Sequence, residues 1–317
     1  MKNFEYVLPK SVDEASKAAA EKGARLKAAG VDLLDEMKAY VATPDKVVNL
    51  LTVPGMRDIA DHKDGTRVGA LVTLAQIAAA DGLPAVLRQA ADEAATPQVR
   101  NVATVGGNLA QRPRCWYFRS DAFACSKKGG DTCYAIDGEN QYHAIFHTKP
   151  CPIVHASNLA PALVALDARV ITNKREIDIE RFFVLPKEAI DRENVLEPGE
   201  VITSVAFPAR ARWQSCFREA RDKESFSWAL VAAAVALRMD GDAVGEARVV
   251  LGAVAPVPLR SKEAEAELAG KKPTAEVAAK AAEAAFKGAT PLSENGYKVQ
   301  LGKAILKRTI LAAAEGK

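Results

Sequence analysis

Four of the chain's five cysteines, Cys115, Cys125, Cys133 and Cys151, fall in one irregular stretch, QRPRCWYFRSDAFACSKKGGDTCYAIDGENQYHAIFHTKPC. A packed core uses Cys singly as a small apolar residue, so thiols gathered on a loop point to something held between them. The spacing C-x9-C-x7-C-x17-C lacks the close C-x2-4-C knuckle of a structural zinc site. Iron-sulfur clusters accept wider spacing because the cluster is larger than one ion. The expectation is a [4Fe-4S] cluster on Cys115, Cys125, Cys133 and Cys151; zinc, disulfides and unligated thiols remain as alternatives. Arg112, Arg114, Arg119, Lys127 and Lys128 would offset the negative charge of such a cluster, and the amides of Gly129 and Gly130 would bond its sulfurs. The plainer alternative for these side chains is a solvated basic loop. Cys216 sits in a strand-like run and reads as a core thiol. His143, His147 and His155 lie near Cys151 in sequence and read as loop residues rather than ligands.

Two glycine runs could serve a second chemistry. LKAAGVDLL and ATVGGNLA place small residues where backbone N–H groups would meet phosphate oxygens. Thr104 and Asn108, flanking Gly106 and Gly107, would add a hydroxyl and an amide. No G-x-G-x-x-G and no G-x-x-x-x-G-K-[ST] occurs, so the familiar nucleotide folds find no support, and each run alone is more simply a tight turn.

The elements that must position these residues belong to an ordinary globular chain of 317 residues, 49% hydrophobic and 26% charged, long enough for two or three domains. A net charge of +3 is too mild for a nucleic-acid surface. No apolar run reaches the length of a membrane span, and MKNFEYVLPKSVDEA has no leader pattern. Five cysteines in so long a chain argue against a secreted disulfide scaffold. Ser11 and Glu14 predict a capping box opening a helix that stops at Gly23. ARLKAAG is an expected strand with a turn at Gly30, DLLDEMK a helical turn, KVVNL and TRVGAL strands, and TLAQIAAA and PAVLRQAADEAA helices, so strand and helix alternate through the first hundred residues or so. LAPALVALDARVITNKREIDIERFF mixes a helix with two strands, and EVITSVAFP ends a region at Pro208. Beyond it, RWQSCFREAR, WALVAAAVALRM and EARVVLGAV predict three strands, followed by three Ala-rich helices.

In their order, AAGVDLL, ATPQVRNVATVGGNLA, ALVALDARV and a strand-then-helix C-terminal part, these runs resemble the flavin-binding medium subunits of the xanthine dehydrogenase and carbon monoxide dehydrogenase family of molybdenum hydroxylases. The likeness spans nearly the whole chain. With RPRCWYFR and the cysteine loop, it is most similar to the FAD subunits of bacterial periplasmic aldehyde oxidoreductases, and less so to those of 4-hydroxybenzoyl-CoA reductases. The resemblance implies an α+β fold: a two-subdomain PCMH-type FAD-binding domain over residues 1–208 and a small C-terminal α+β domain, a three-stranded sheet plus helices, over residues 209–317. In the family an A-G-G-T-D-L turn and a T-[IV]-G-G-N turn grip the FAD diphosphate. Here that implies Lys27, Ala28, Ala29, Gly30, Val31, Asp32, Leu33 and Leu34, with Thr104, Gly106, Gly107 and Asn108. Ala29 replaces a usual glycine, and Val31 replaces a threonine whose hydroxyl would donate to phosphate.

The implied role is electron transfer, with no catalytic side chain required. A molybdenum-cofactor large subunit oxidises an aldehyde or heterocycle, a [2Fe-2S] small subunit relays electrons, and FAD in this chain passes them to an acceptor. The competing expectations are an FAD subunit of a xanthine dehydrogenase-like or 4-hydroxybenzoyl-CoA reductase-like enzyme, a cofactor-free assembly scaffold, and a stand-alone flavin dehydrogenase. The compartment would follow the partners, periplasmic with a signal-bearing subunit or cytoplasmic otherwise.

Overall fold

The computed structural model describes residues 1–62, 64–209, 213–223 and 226–316. The first layer is β1 (Glu5–Val7), α1 (Val12–Ala19), β2 (Ala24–Lys27), α2 (Leu33–Lys38) and β3 (Lys46–Asn49). Its three strands form a parallel sheet in the order β1-β3-β2. Ser11 caps α1 by accepting from the Glu14 N–H, but the Glu14 carboxylate bonds the Lys10 N–H rather than closing the expected box. The helix ends at Ala19, and Gly23, at φ 80°, serves the turn into β2.

The second layer holds β4 (Ile59–His62), β5 (Gly65–Gly69), α3 (Leu74–Ala79), α4 (Ala85–Asp92), α5 (Pro97–Arg100), α6 (Val105–Leu109), α7 (Leu159–Ala165), β6 (Arg169–Thr172), β7 (Glu176–Asp178), α8 (Ile179–Phe182) and β8 (Ile202–Pro208). Its strands make a five-stranded antiparallel sheet, β4-β5-β8-β6-β7. Leu74, Ile77, Val86, Leu87, Leu159 and Leu163 are buried in one core with Val68, Val170 and Val205 from the sheet, which fixes α3, α4 and α7 against it.

The third layer is β9 (Trp213–Arg221), β10 (Ala229–Asp240), β11 (Ala243–Gly252), β12 (Leu259–Arg260), α9 (Lys262–Leu268), α10 (Ala275–Phe286) and α11 (Tyr297–Ala314). The sheet is four-stranded, β12-β11-β10-β9, one strand more than expected, because the two-residue β12 pairs along β11. The central strand β10 is buried on both faces, on one side by α4 and α7 and on the other by α10 and α11. Its unbroken LVAAAVAL run is the pattern such a strand takes. Arg212 and Lys317, at the ends of the expected first strand and last helix, lie outside the described residues.

The segment between α6 and α7 touches all three layers. Arg114 and Arg119 reach Asp32, Lys127 reaches Glu193, and Asn140 bonds Ser293 and Glu294 in the third.

Candidate functional site

The turn leaving β2 reverses at Gly30, whose φ of 85° lies in the left-handed region. A Cβ there would come within 2.9 Å of the Leu34 side chain, so the position is closed to side chains by its own helix as well as by conformation. The Gly30 and Asp32 carbonyls take the N–H groups of Leu34 and Glu36. The amides of Ala29, Gly30, Val31, Asp32 and Leu33, by contrast, donate to no protein acceptor among the described residues. A run of adjacent unpaired N–H groups on the rim of a cleft is an anion-binding concavity.

The facing wall is built by the second glycine run. Thr104 caps α6, its hydroxyl accepting from the Gly107 N–H at 3.3 Å. The Gly106 and Asn108 amides are also used internally, on the carbonyls of Ala70 and Thr104. The expected donation from this run to a phosphate through its amides is therefore corrected: the Gly107 and Asn108 bonds close the α6 turn and the Gly106 bond ties it to Ala70. The two glycines also differ. A Cβ on Gly106 would press on Ala70 at 3.2 Å, whereas one on Gly107 would meet only the Thr104 hydroxyl and otherwise enter the cleft. Lys27, Ala28, Ala29, Gly30, Val31, Asp32, Leu33, Thr104, Gly107 and Asn108 line one cleft; Leu34 and Gly106 stand behind it. Asn108 is fixed by a 2.5 Å bond from the Ser157 hydroxyl to its Oδ1. Leu74, Val99, Ala103 and Trp228 add apolar lining to the same cleft.

The Asp32 carboxylate does not face the amides of its own turn. It accepts from the Arg112 N–H at 2.7 Å, Arg114 Nη1 at 2.5 Å and Arg119 Nη2 at 2.6 Å. Burial acts to raise its pKa, but Arg114 and Arg119 outweigh it and hold the carboxyl below the usual carboxylate range. Glu193 binds both Arg112 and Lys127 at 2.6 Å, and Lys128 bonds the Ser120 carbonyl. The cations expected to offset a cluster's charge are thus engaged by protein oxygens. The Gly129 and Gly130 amides, expected to bond cluster sulfurs, are likewise taken by the carbonyls of Ser126 and Cys125.

All five cysteines are free thiols, with Cys125, Cys151 and Cys216 buried and Cys115 and Cys133 half-buried. Cys133 and Cys151 share a hydrogen bond that brings the Cys133 thiol down to about 7 and pushes Cys151 up. Burial pushes Cys115 up to about 11, with Cys125 and Cys133 adding to the effect. His143 Nε2 is 3.2 Å from Cys115 Sγ, and the His143 ring packs edge-on against Trp116. The expected metal-ligand set is not assembled as it stands: among the described residues no group of three or more His, Cys, Asp or Glu side chains is placed to hold a metal ion.

Two cleft residues carry no motif and were not anticipated, Glu219 on β9 and Asn158 before α7. Asn158 Nδ2 donates to Glu219 at 2.8 Å. The only sign in the sequence is strand alternation, which puts Glu219 and Arg218 on opposite faces.

Residues 2–210 match the model of the FAD binding domain in molybdopterin dehydrogenase, and residues 215–313 that of the CO dehydrogenase flavoprotein C-terminal domain. The chain is 34% identical to the aldehyde oxidoreductase FAD-binding subunit PaoB of Escherichia coli (strain K12), over 99% of both chains. It is 27% identical to the carbon monoxide dehydrogenase medium chain of Hydrogenophaga pseudoflava, over 98% of this chain and 96% of that one. Among solved structures, it is similar to quinoline 2-oxidoreductase from Pseudomonas putida 86, with a TM-score of 0.77, 27% identity and coverage of 100% and 99%. The carbon monoxide dehydrogenase of Hydrogenophaga pseudoflava lacking the Mo-pyranopterin moiety gives 0.76 and 26% over 99% and 98%.

Proposed function

The chain belongs to the family of FAD-binding domains of molybdopterin dehydrogenases, as an FAD-binding subunit of a molybdenum hydroxylase, and from that premise we propose that it is the electron-transfer flavoprotein of an aldehyde oxidoreductase. In this proposal the cleft between the two glycine runs holds the FAD, and the observation that carries it is the row of unpaired amides from Ala29 to Leu33. Those amides take the diphosphate, Gly107 leaves room for its approach, and Thr104 and Asn108 present side chains from the facing wall. Leu74, Val99 and Ala103 exclude water from the ring end. Bound FAD supplies reversible two-electron chemistry; the chain's residues hold it, orient it and set the field around it. No side chain of this chain acts on the aldehyde.

The proposal includes a molybdenum-cofactor large subunit and a [2Fe-2S] small subunit as partners, an external acceptor, and a compartment that follows the partners. The 34% identity to an aldehyde oxidoreductase subunit over the full length of both chains favours the aldehyde. It further includes a [4Fe-4S] cluster on Cys115, Cys125, Cys133 and Cys151. What supports that part is four reduced thiols on one segment, Cys133 and Cys151 sharing a hydrogen bond.

Expression with and without partner subunits tests the assignment. The chain alone is expected to bind FAD and oxidise no aldehyde, whereas the complex reduces dye with aldehyde; a lone chain turning over aldehydes at the rate of the complex would reject it. Iron analysis of anaerobically prepared protein tests the cluster. Cys151→Ser should lower iron and Cys216→Ser should not, and one zinc per chain without iron would remove the cluster.

A further inference from the structure

We propose that Glu219 is the proton-exchanging carboxyl of the FAD cleft, taking a proton from water when two electrons are placed on the bound flavin and releasing it on reoxidation. This rests on the cleft being the FAD site and adds to it how charge arriving there is balanced. The electrons come from the reductant, and the only bond formed on Glu219 is an O–H bond.

The geometry points to Glu219 because it is a buried carboxyl that opens onto the cleft. Its side chain is 3% exposed, and it lines the cleft with Asn158, Ser227 and Trp228. One carboxylate oxygen accepts from Asn158 Nδ2 at 2.8 Å and the other pairs with Arg221 Nε. Arg221 is not its counterion alone: Nη2 of the same guanidinium binds the Glu93 carboxylate at 2.6 Å. Among the described residues in contact with Glu219, two carboxylates thus share one guanidinium. Of the two, Glu219 is the buried one, since the Glu93 side chain is 50% exposed. The groups facing Glu219 are Arg221 on its own strand, Glu93 at the end of α4 and Asn158 ahead of α7. Burial pushes the Glu219 carboxyl up to about 7 and Glu93 adds to this, against the opposing pull of Arg221 and Asn158. A group poised near neutrality responds to added negative charge beside it by binding a proton.

The cleft that Glu219 lines also offers surface suited to the ring end of the cofactor. An uncharged planar ring requires apolar walls, and Leu74, Val99, Ala103 and Trp228 line the same cleft as Glu219, with the Arg114 guanidinium 4.6 Å over the Trp228 ring.

The test is the flavin midpoint potential of the full chain with its FAD, measured by dithionite titration with redox dyes from about pH 6 to about pH 8, where the carboxyl titrates. Each proton coupled to a two-electron reduction steepens the fall of potential by about 30 mV per pH unit. Glu219→Gln should flatten the slope by up to that amount, and Glu219→Asp, which keeps a titratable carboxyl, should restore it. Equal slopes for the wild type and a Glu219→Gln protein with full FAD would overturn the proposal while leaving the FAD site intact. If Glu219→Gln cannot hold FAD, proton uptake by the wild type on reduction decides, read with an indicator dye in weak buffer. Uptake above that of free FAD under the same conditions supports the role, and uptake no greater than that of free FAD overturns it.

Discussion

Asp32 carries two duties at one position. Its N–H belongs to the unpaired row, and its carboxylate anchors Arg114 and Arg119 from the cysteine segment. The side chains of all three are less than one-fifth exposed, so removing the carboxylate leaves Arg114 buried without its carboxylate partner and Arg119 with only the exposed Asp35. Asp32→Asn should therefore destabilise the fold by about 3 kcal/mol, read as a lower urea midpoint at neutral pH. The pKa direction gives the sign. A carboxyl held below its ordinary 3.8 contributes fully above that value and loses its contribution as pH falls through the lower folded value. The deficit of Asp32→Asn should accordingly shrink in strong acid. His155 behaves differently. Burial, with Arg114 adding to it, lowers its pKa from 6.5 to about 4, so the native state holds it neutral and the unfolded chain protonates first. Its contribution is complete above 6.5 and is lost as pH falls toward 4, a slope that His155→Gln should remove from urea midpoints taken across that window.

At the scale of elements, α10 and α11 meet where Gly302 faces Phe286. A Cβ at Gly302 would lie 2.2 Å from the Phe286 ring, so Gly302→Ala should cost roughly 1–3 kcal/mol by overpacking. Its FAD content should be unchanged, since the contact lies outside the cleft. The alternating or continuous apolar runs of β2, β3, β8 and β10 made those strands legible in the sequence, as did the Ala-rich spacing of α10 and α11. Two short edge strands, β4 and β12, were not legible. β12 has two residues, and all four residues of β4 are exposed, so neither carries a burial pattern. α6 contains two adjacent glycines that oppose helix formation, and it exists because Thr104 caps it and also bridges Thr73. The full capping box belongs to Thr73 and Gln76, not to Ser11 and Glu14. Glycine spacing indicated the cleft, but the different tasks of Gly106 and Gly107 depend on Ala70, which local sequence cannot place.

At the scale of the molecule, the cysteine segment is tied to every layer, and Asn295 makes one of its attachments to the third beside those of Asn140. The fully buried Asn295 amide donates to the carbonyls of His143 and Ala144 at 3.1 and 3.0 Å and accepts from the Leu292 N–H at 2.7 Å. Asn295→Ala would leave those groups unsatisfied at a cost of about 1–3 kcal/mol. Limited proteolysis should then cut first between Cys115 and His143 while FAD stays bound; unchanged cleavage would show that the segment is held by its other contacts. Whether the two glycine runs enclose FAD is read from the flavin-to-protein absorbance ratio of purified wild type and Gly107→Val. Wild type should carry one FAD per chain, and Gly107→Val should be empty but folded, with unchanged far-UV circular dichroism. Full flavin in Gly107→Val would contradict that enclosure.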